Sequence, residues 1–164
     1  MPETWVVNAS PLIALARIGR LDLLVGADRD LLVPTAVVRE VMAGGEADPA
    51  RQALVAGFAA PQIEVAVDAR VGEWGLGAGE TAVLSLALER RARAVVDDRD
   101  ARRAAGALGI PAVGTLGVVI RARGEGRIAS AAAVIRELRG AGFRLHDATV
   151  RAALAQAFGE VWEP

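Results

Sequence analysis

No cysteine occurs in the sequence, so disulfides, thiol nucleophiles and thiolate zinc sites are excluded. Lysine is missing as well. All 19 basic residues are arginine, which removes a Schiff-base lysine and a Walker-type phosphate loop. His146 is the only histidine, and His-based triads and His-rich metal sites go with that scarcity. Neither sign of charge dominates: the net charge of −1 argues against a strongly basic nucleic-acid coat. An RNA partner would have to be drawn by local arginine patches and bound metal. Uncharged runs are too short to span a membrane, and the stretch ending at Ile120 is broken by Pro111 and by glycines. Met1-Pro2-Glu3-Thr4 lacks the basic segment and apolar stretch of a secretory signal, so the default expectation is a cytoplasmic protein with no membrane partner.

What remains for acid–base or metal chemistry is carboxylate, carried on a chain that is 53% hydrophobic. That length and composition suit one domain, 1–164, with a helical extension over about 126–160. Trp5-Val6-Val7 reads as a strand with no polar face, ending at Asn8. Ser10-Pro11 then opens a helix, with serine as its cap. Leu31-Leu32-Val33 is a second apolar run, followed by a helix over Thr35 to Met42. A weaker helix (Pro49 to Phe58), a strand (Ile63 to Val67) and an irregular stretch (Asp68 to Gly79) come next. The longest helix covers about Glu80 to Arg91. Strands at Ala94-Val95-Val96 and Pro111-Ala112-Val113 each lead into a helix, over Asp98 to Leu108 and Leu116 to Arg123. Two amphipathic helices finish the chain. Ser130 caps the first, and Val150, Ala153, Leu154, Ala157 and Phe158 form an apolar stripe on the second. Alternating strands and helices predict a three-layer α/β/α sandwich around a parallel sheet, with ligands beyond the strands' carboxyl ends.

Several polar residues fall at places where they are hard to ignore. Asn8 ends the first strand, where a turn residue satisfying the backbone is the plainer reading. Glu40 follows Ala36 and Val37 by four and three residues, so its carboxylate borders an apolar face, where it needs a cation, a donor or a nearby arginine. Glu80 precedes Val83, Leu84 and Ala87 at i+3, i+4 and i+7 and so heads a buried stripe. The helix dipole explains an acid in that first turn but not its inward face. Asp97 and Asp98 close a strand and precede a helix; a cap accounts for one of them and leaves the other over. Carboxylates at a strand end and on two helix faces, with an amide oxygen at another strand end, suit magnesium or manganese, which take oxygen ligands and activate water against a phosphodiester. Arg99, Arg102 and Arg103 follow at helical spacing as candidate phosphate contacts, or as a solvated face.

Four stretches then resemble the PIN-domain superfamily in order and spacing. They are Val6-Val7-Asn8-Ala9-Ser10-Pro11-Leu12-Ile13, Pro34-Thr35-Ala36-Val37-Val38-Arg39-Glu40-Val41, Gly77-Ala78-Gly79-Glu80-Thr81-Ala82-Val83 and Val95-Val96-Asp97-Asp98-Arg99-Asp100-Ala101-Arg102. The likeness is to a bacterial and archaeal branch related to VapC-type toxins. Gly109-Ile110-Pro111-Ala112-Val113-Gly114-Thr115-Leu116-Gly117 and Leu138-Arg139-Gly140-Ala141-Gly142-Phe143 share it. The resemblance implies an endoribonuclease that cuts single-stranded RNA with magnesium or manganese, in many members the toxin paired with a small antitoxin protein, and in some a homodimer. By position it implies Glu40, Glu80 and Asp98 as catalytic acidic ligands, with Asp97 sharing or taking the last role and Ser10 beside the metal. Asn8 departs from the aspartate usual there and leaves a neutral carbonyl oxygen as ligand. A catalytically weak or inactive RNA- or protein-binding module is therefore the second reading. A nucleotide- or phosphate-handling α/β domain is the third, and no glycine-rich loop after the first strand supports it.

Overall fold

The computed structural model describes residues 2–164; Met1, the first residue of the expected domain, lies outside them. In chain order the first elements are β1 (Glu3–Val7), α1 (Ala9–Arg17), a 3-10 turn (Leu21–Leu24), β2 (Arg29–Leu32), α2 (Thr35–Met42) and α3 (Pro49–Val55). Then come α4 (Ala69–Gly72), α5 (Ala78–Arg90), β3 (Arg93–Val95), α6 (Arg99–Ala107) and β4 (Ala112–Val113). Helices α7 (Thr115–Gly124), α8 (Ala131–Gly140) and α9 (Asp147–Phe158) follow.

Trp5, Val6 and Val7 have no accessible surface, which is possible only for a strand covered on both faces. Accordingly β1 lies inside a parallel sheet of order β2-β1-β3-β4, clothed by helices in an α/β/α sandwich. Val7 pairs with Val95 and Val95 with Val113, so these strands stop at one level. Their carboxyl ends share a rim, where the chain passes through Asn8, Pro34, Asp97-Asp98 and Gly114 into α1, α2, α6 and α7. Strand order reverses between β1 and β3, and ligands of open parallel sheets settle at such a crevice.

At β1's opposite end Arg29 is buried, its guanidinium 3.7 Å from the Trp5 ring centre, with bonds to the Leu23 carbonyl (3.2 Å) and Glu125 (2.8 Å). This cation–π stack ties Arg29 to β1 on the side of the sheet opposite the rim where the acids gather.

The structure departs from the sequence reading in four places. Helix α1 starts at Ala9, so Ser10 lies inside its first turn, and Asn8 takes the cap position without a side-chain capping bond. The expected strand over Ile63 to Val67 is a single bridge: Ile63 exchanges bonds with Val33 and Thr35 (3.0 and 2.9 Å), pairing stops there, and Val67 is exposed. The stretch after Asp68 includes the short helix α4, whose cap is Asp68 itself. In α9 only Val150 and Leu154 of the predicted stripe are fully buried. The chain turns back at Gly159, and buried Trp162 donates from its indole N–H to Asp147 (2.9 Å). Ser130 caps α8 as expected, accepting from the Ala133 N–H. Among the described residues no helix is long and apolar enough to cross a membrane.

Helix α7 crosses β4 so closely that a Cβ at Gly117 would collide with a Val113 methyl. Valine is stiff about its first torsion and cannot readily swing aside. Gly117→Ala is therefore expected to lose about 1–3 kcal/mol to overpacking and to recover about 1 from helix propensity. Urea denaturation should show net destabilisation in the wild-type background and a gain in a Val113→Ala background. A gain in both would remove the close contact as the reason for glycine.

Candidate functional site

The rim is assembled from residues far apart in sequence. The backbone N–H of Asn8 continues the β1–β3 ladder by donating to the Val95 carbonyl (3.0 Å), which fixes its side chain at the crevice. That side chain is 2% exposed. Its amide nitrogen donates to Glu80 Oε1 (3.1 Å), while its Oδ1 is buried and has no hydrogen-bond partner.

Glu80 reaches Asn8 from the first turn of α5. Gly77, the cap residue, makes no side-chain cap, and a Cβ there would be 2.6 Å from Glu80 Oε2. The missing side chain leaves room for the carboxylate at the helix's positive end. Glu40 approaches from α2, which packs on α5. It makes no hydrogen bond or ion pair with the described residues. Partial burial of its carboxyl raises its pKa, and the charge of Glu80 raises it further.

Gly79 records how the oxygens converge. A Cβ at that position would be 2.6 Å from Glu40 Oε2 and 2.9 Å from Asn8 Oδ1. Two acceptor oxygens thus flank one point with no donor between them. Of the two only the Asn8 oxygen is buried, and leaving it unpartnered is costly unless a donor or a cation reaches it; Glu40 is exposed beside it.

The two aspartates separate. Asp97 Oδ1 accepts from the Thr115 backbone N–H (2.7 Å), and its Oδ2 accepts from the Thr115 hydroxyl (2.7 Å) and the Ser10 hydroxyl (3.2 Å). Asp98 accepts from the Ala101 N–H (2.9 Å) as the cap of α6. Hence Asp97 is tied to the Ser10 side of the rim and Asp98 to its own helix. A Cβ at Gly114 would meet Asp97 Oδ1 at 2.9 Å and Arg102 Nη1 at 3.0 Å, so Arg102 also comes to the rim. Arg103 instead pairs loosely with Asp100 on the exposed face of α6 (3.9 Å), and Arg99 is exposed in its first turn.

Among the described residues no three His, Cys, Asp or Glu side chains form a metal-holding group by themselves. Two carboxylates and the orphaned amide oxygen of Asn8 nevertheless fit a hard divalent ion, which commonly takes one or two carboxylates and leaves the rest of its shell to water and phosphate. Sequence reasoning missed Thr115 and the glycines at 77, 79 and 114. Thr115 follows a strand only two residues long, and glycine's role as empty space has no periodicity to reveal it.

Because Glu40 holds its proton more tightly folded than unfolded, it favours the metal-free fold below the ordinary carboxylate pKa, and that contribution is lost as pH rises through the raised value. Glu40→Gln, with an amide able to donate toward Asn8 Oδ1, should therefore melt about 1–3 °C above the wild type in chelator at about pH 8. At about pH 4 the difference should shrink. A variant that melts lower at the higher pH would show that Glu40 is not under repulsion.

A family model described as a PIN domain matches residues 4–159, nearly the whole chain. No curated protein matches it. PIN domains are generally nucleases and commonly use divalent metals. The parallel sheet, the acid-lined rim and the extent of the match agree, and the chain belongs to the PIN-domain family.

Proposed function

We propose that the chain is a metal-dependent endoribonuclease that cleaves single-stranded RNA with magnesium or manganese. The observation that carries this reading is the buried, unpartnered Asn8 Oδ1 facing the same point above Gly79 as Oε2 of the exposed Glu40. Glu40 and Glu80 would hold the ion with Asn8, and Asp97 would border it through Ser10. A bound divalent ion supplies an activated water and stabilises charge on the phosphodiester under attack.

The protein's own groups do the positioning. Asn8 pins Glu80 through its amide N–H and keeps its oxygen turned toward Glu40. Three donors from Ser10 and Thr115 fix Asp97 in orientation. Glu40, unpaired among the described residues, keeps both carboxylate oxygens available to the ion. Arg102 stands beside Asp97 with donors for a phosphate oxygen.

Asparagine favours a second reading, a weakly active or silent RNA-binding module, because the donor it gives Glu80 occupies an oxygen that a metal would use. The two readings diverge in one assay. With manganese and an unstructured RNA, the wild type should cleave and chelator should stop it. Glu80→Gln should cleave at least about 100-fold more slowly while melting within about 2 °C of the wild type. Undiminished cleavage by the variant would remove Glu80 from the chemistry. RNA binding without cleavage would favour the silent module, and Asn8→Asp should then tighten manganese binding by about tenfold or more.

A further inference from the structure

The segment Leu138-Arg139-Gly140-Ala141-Gly142-Phe143 takes no part in the chemistry above. Helix α8 ends within it, and Gly142 has a φ of +95°, which suits glycine and strains any side chain. Nothing lies within 4 Å of where a Cβ at Gly142 would stand, so the glycine serves the turn and not a close contact. Bonds from the Gly142 N–H to the Arg139 carbonyl and from the Phe143 N–H to the Leu138 carbonyl, both 3.0 Å, close that turn. Its effect is to bring half-buried Phe143 to the same groove as α1.

That groove, of about 330 Å³, has Ile13 and Leu138 among its apolar walls, Phe143 and Arg17 along it, and Ser10 and Glu40 at the carboxylate rim. Its volume is at the small end of ligand-sized clefts. Phe143 also borders a second groove, of about 510 Å³, with Arg144 and His146, so the ring is not sealed into the core. Arg17 is half exposed and held by Asp48 at 3.3 Å. An aromatic ring among apolar walls, a guanidinium alongside and an end at Glu40 suit a base, a backbone phosphate and the neighbouring bond to be cut.

We propose that this groove is a base subsite, in which the nucleobase beside the phosphodiester at the carboxylates stacks on Phe143. The inference rests on the nuclease reading and deepens it. The walls are mostly apolar, and stacking accepts any base, so the subsite should require a base without strongly selecting which one.

The test uses the full chain, manganese, and an unstructured RNA in which each position in turn is made abasic or replaced by fluorescent 2-aminopurine. For the wild type, loss of one base next to the cut should raise KM by about 5- to 150-fold with kcat little changed. Phe143→Leu keeps apolar bulk without the ring and should raise KM similarly for intact RNA while losing little more on the abasic substrate. Phe143→Trp should stay near the wild type. In calcium, 2-aminopurine at that position should be quenched by the wild type and not by Phe143→Leu. Cleavage with no position-specific abasic effect and an unchanged KM in Phe143→Leu overturns the subsite and leaves the nuclease reading standing, the groove then being open to a peptide instead. Phe143-dependent quenching by a protein that never cleaves supports the subsite and retires the nuclease. Neither quenching nor cleavage overturns both.

Discussion

Asn8 is asked to satisfy neighbours with opposite demands. Its backbone continues the pairing of β1 with β3, so its side chain is fixed at the crevice between them. There its amide gives a hydrogen bond to Glu80, and its oxygen, buried and unpartnered, faces the same point as Glu40. An aspartate at that place would set a third carboxylate against the other two, and without a cation the three would repel. Asparagine keeps the rim together in the absence of metal and gives up one ligand charge. Cohesion without metal and affinity for metal are thus in opposition at one residue.

The surrounding glycines are part of the same constraint. Side chains at 77, 79 and 114 would each crowd a carboxylate oxygen, so the acids take their present positions where the backbone has no Cβ. Helix starts add partial positive charge: α5 begins beside Glu80, α6 behind Asp98 and α7 against Asp97. A parallel sheet delivers these helix starts to one edge, which is why acids separated by many residues meet there.

Much of this was legible in the sequence, for identifiable reasons. Unbroken apolarity at Trp5-Val6-Val7 marked a covered strand, and the structure places it inside the sheet. Glu40 and Glu80 stood out because an acid at the edge of an apolar helical face contradicts its surroundings, and the fold brings them together with Asn8. Spacing alone did not divide the work of Asp97 and Asp98. That depends on Thr115, which arrives from β4, a strand of two residues. Ser10 fits the pattern of a helix cap, yet the cap position falls two residues earlier, at Asn8, and the hydroxyl turns to Asp97 instead. The segment from Ile63 to Val67 has strand-like composition, but only Ile63 meets a free edge position beside Val33. In each miss a tertiary partner decided what a local pattern left open.

Calorimetric titration of manganese into metal-stripped protein, with Gly79→Ala as the comparison, goes straight to the cation site. The substitution keeps every acid and adds one methyl at the point flanked by Glu40 and Asn8. Saturable binding by the wild type that weakens by about tenfold or more in Gly79→Ala is the expected result, since crowding the ligand oxygens disturbs a site built from few of them. Equal binding by the two proteins, or none by the wild type at about millimolar manganese, would contradict the assignment of that point to a metal ion.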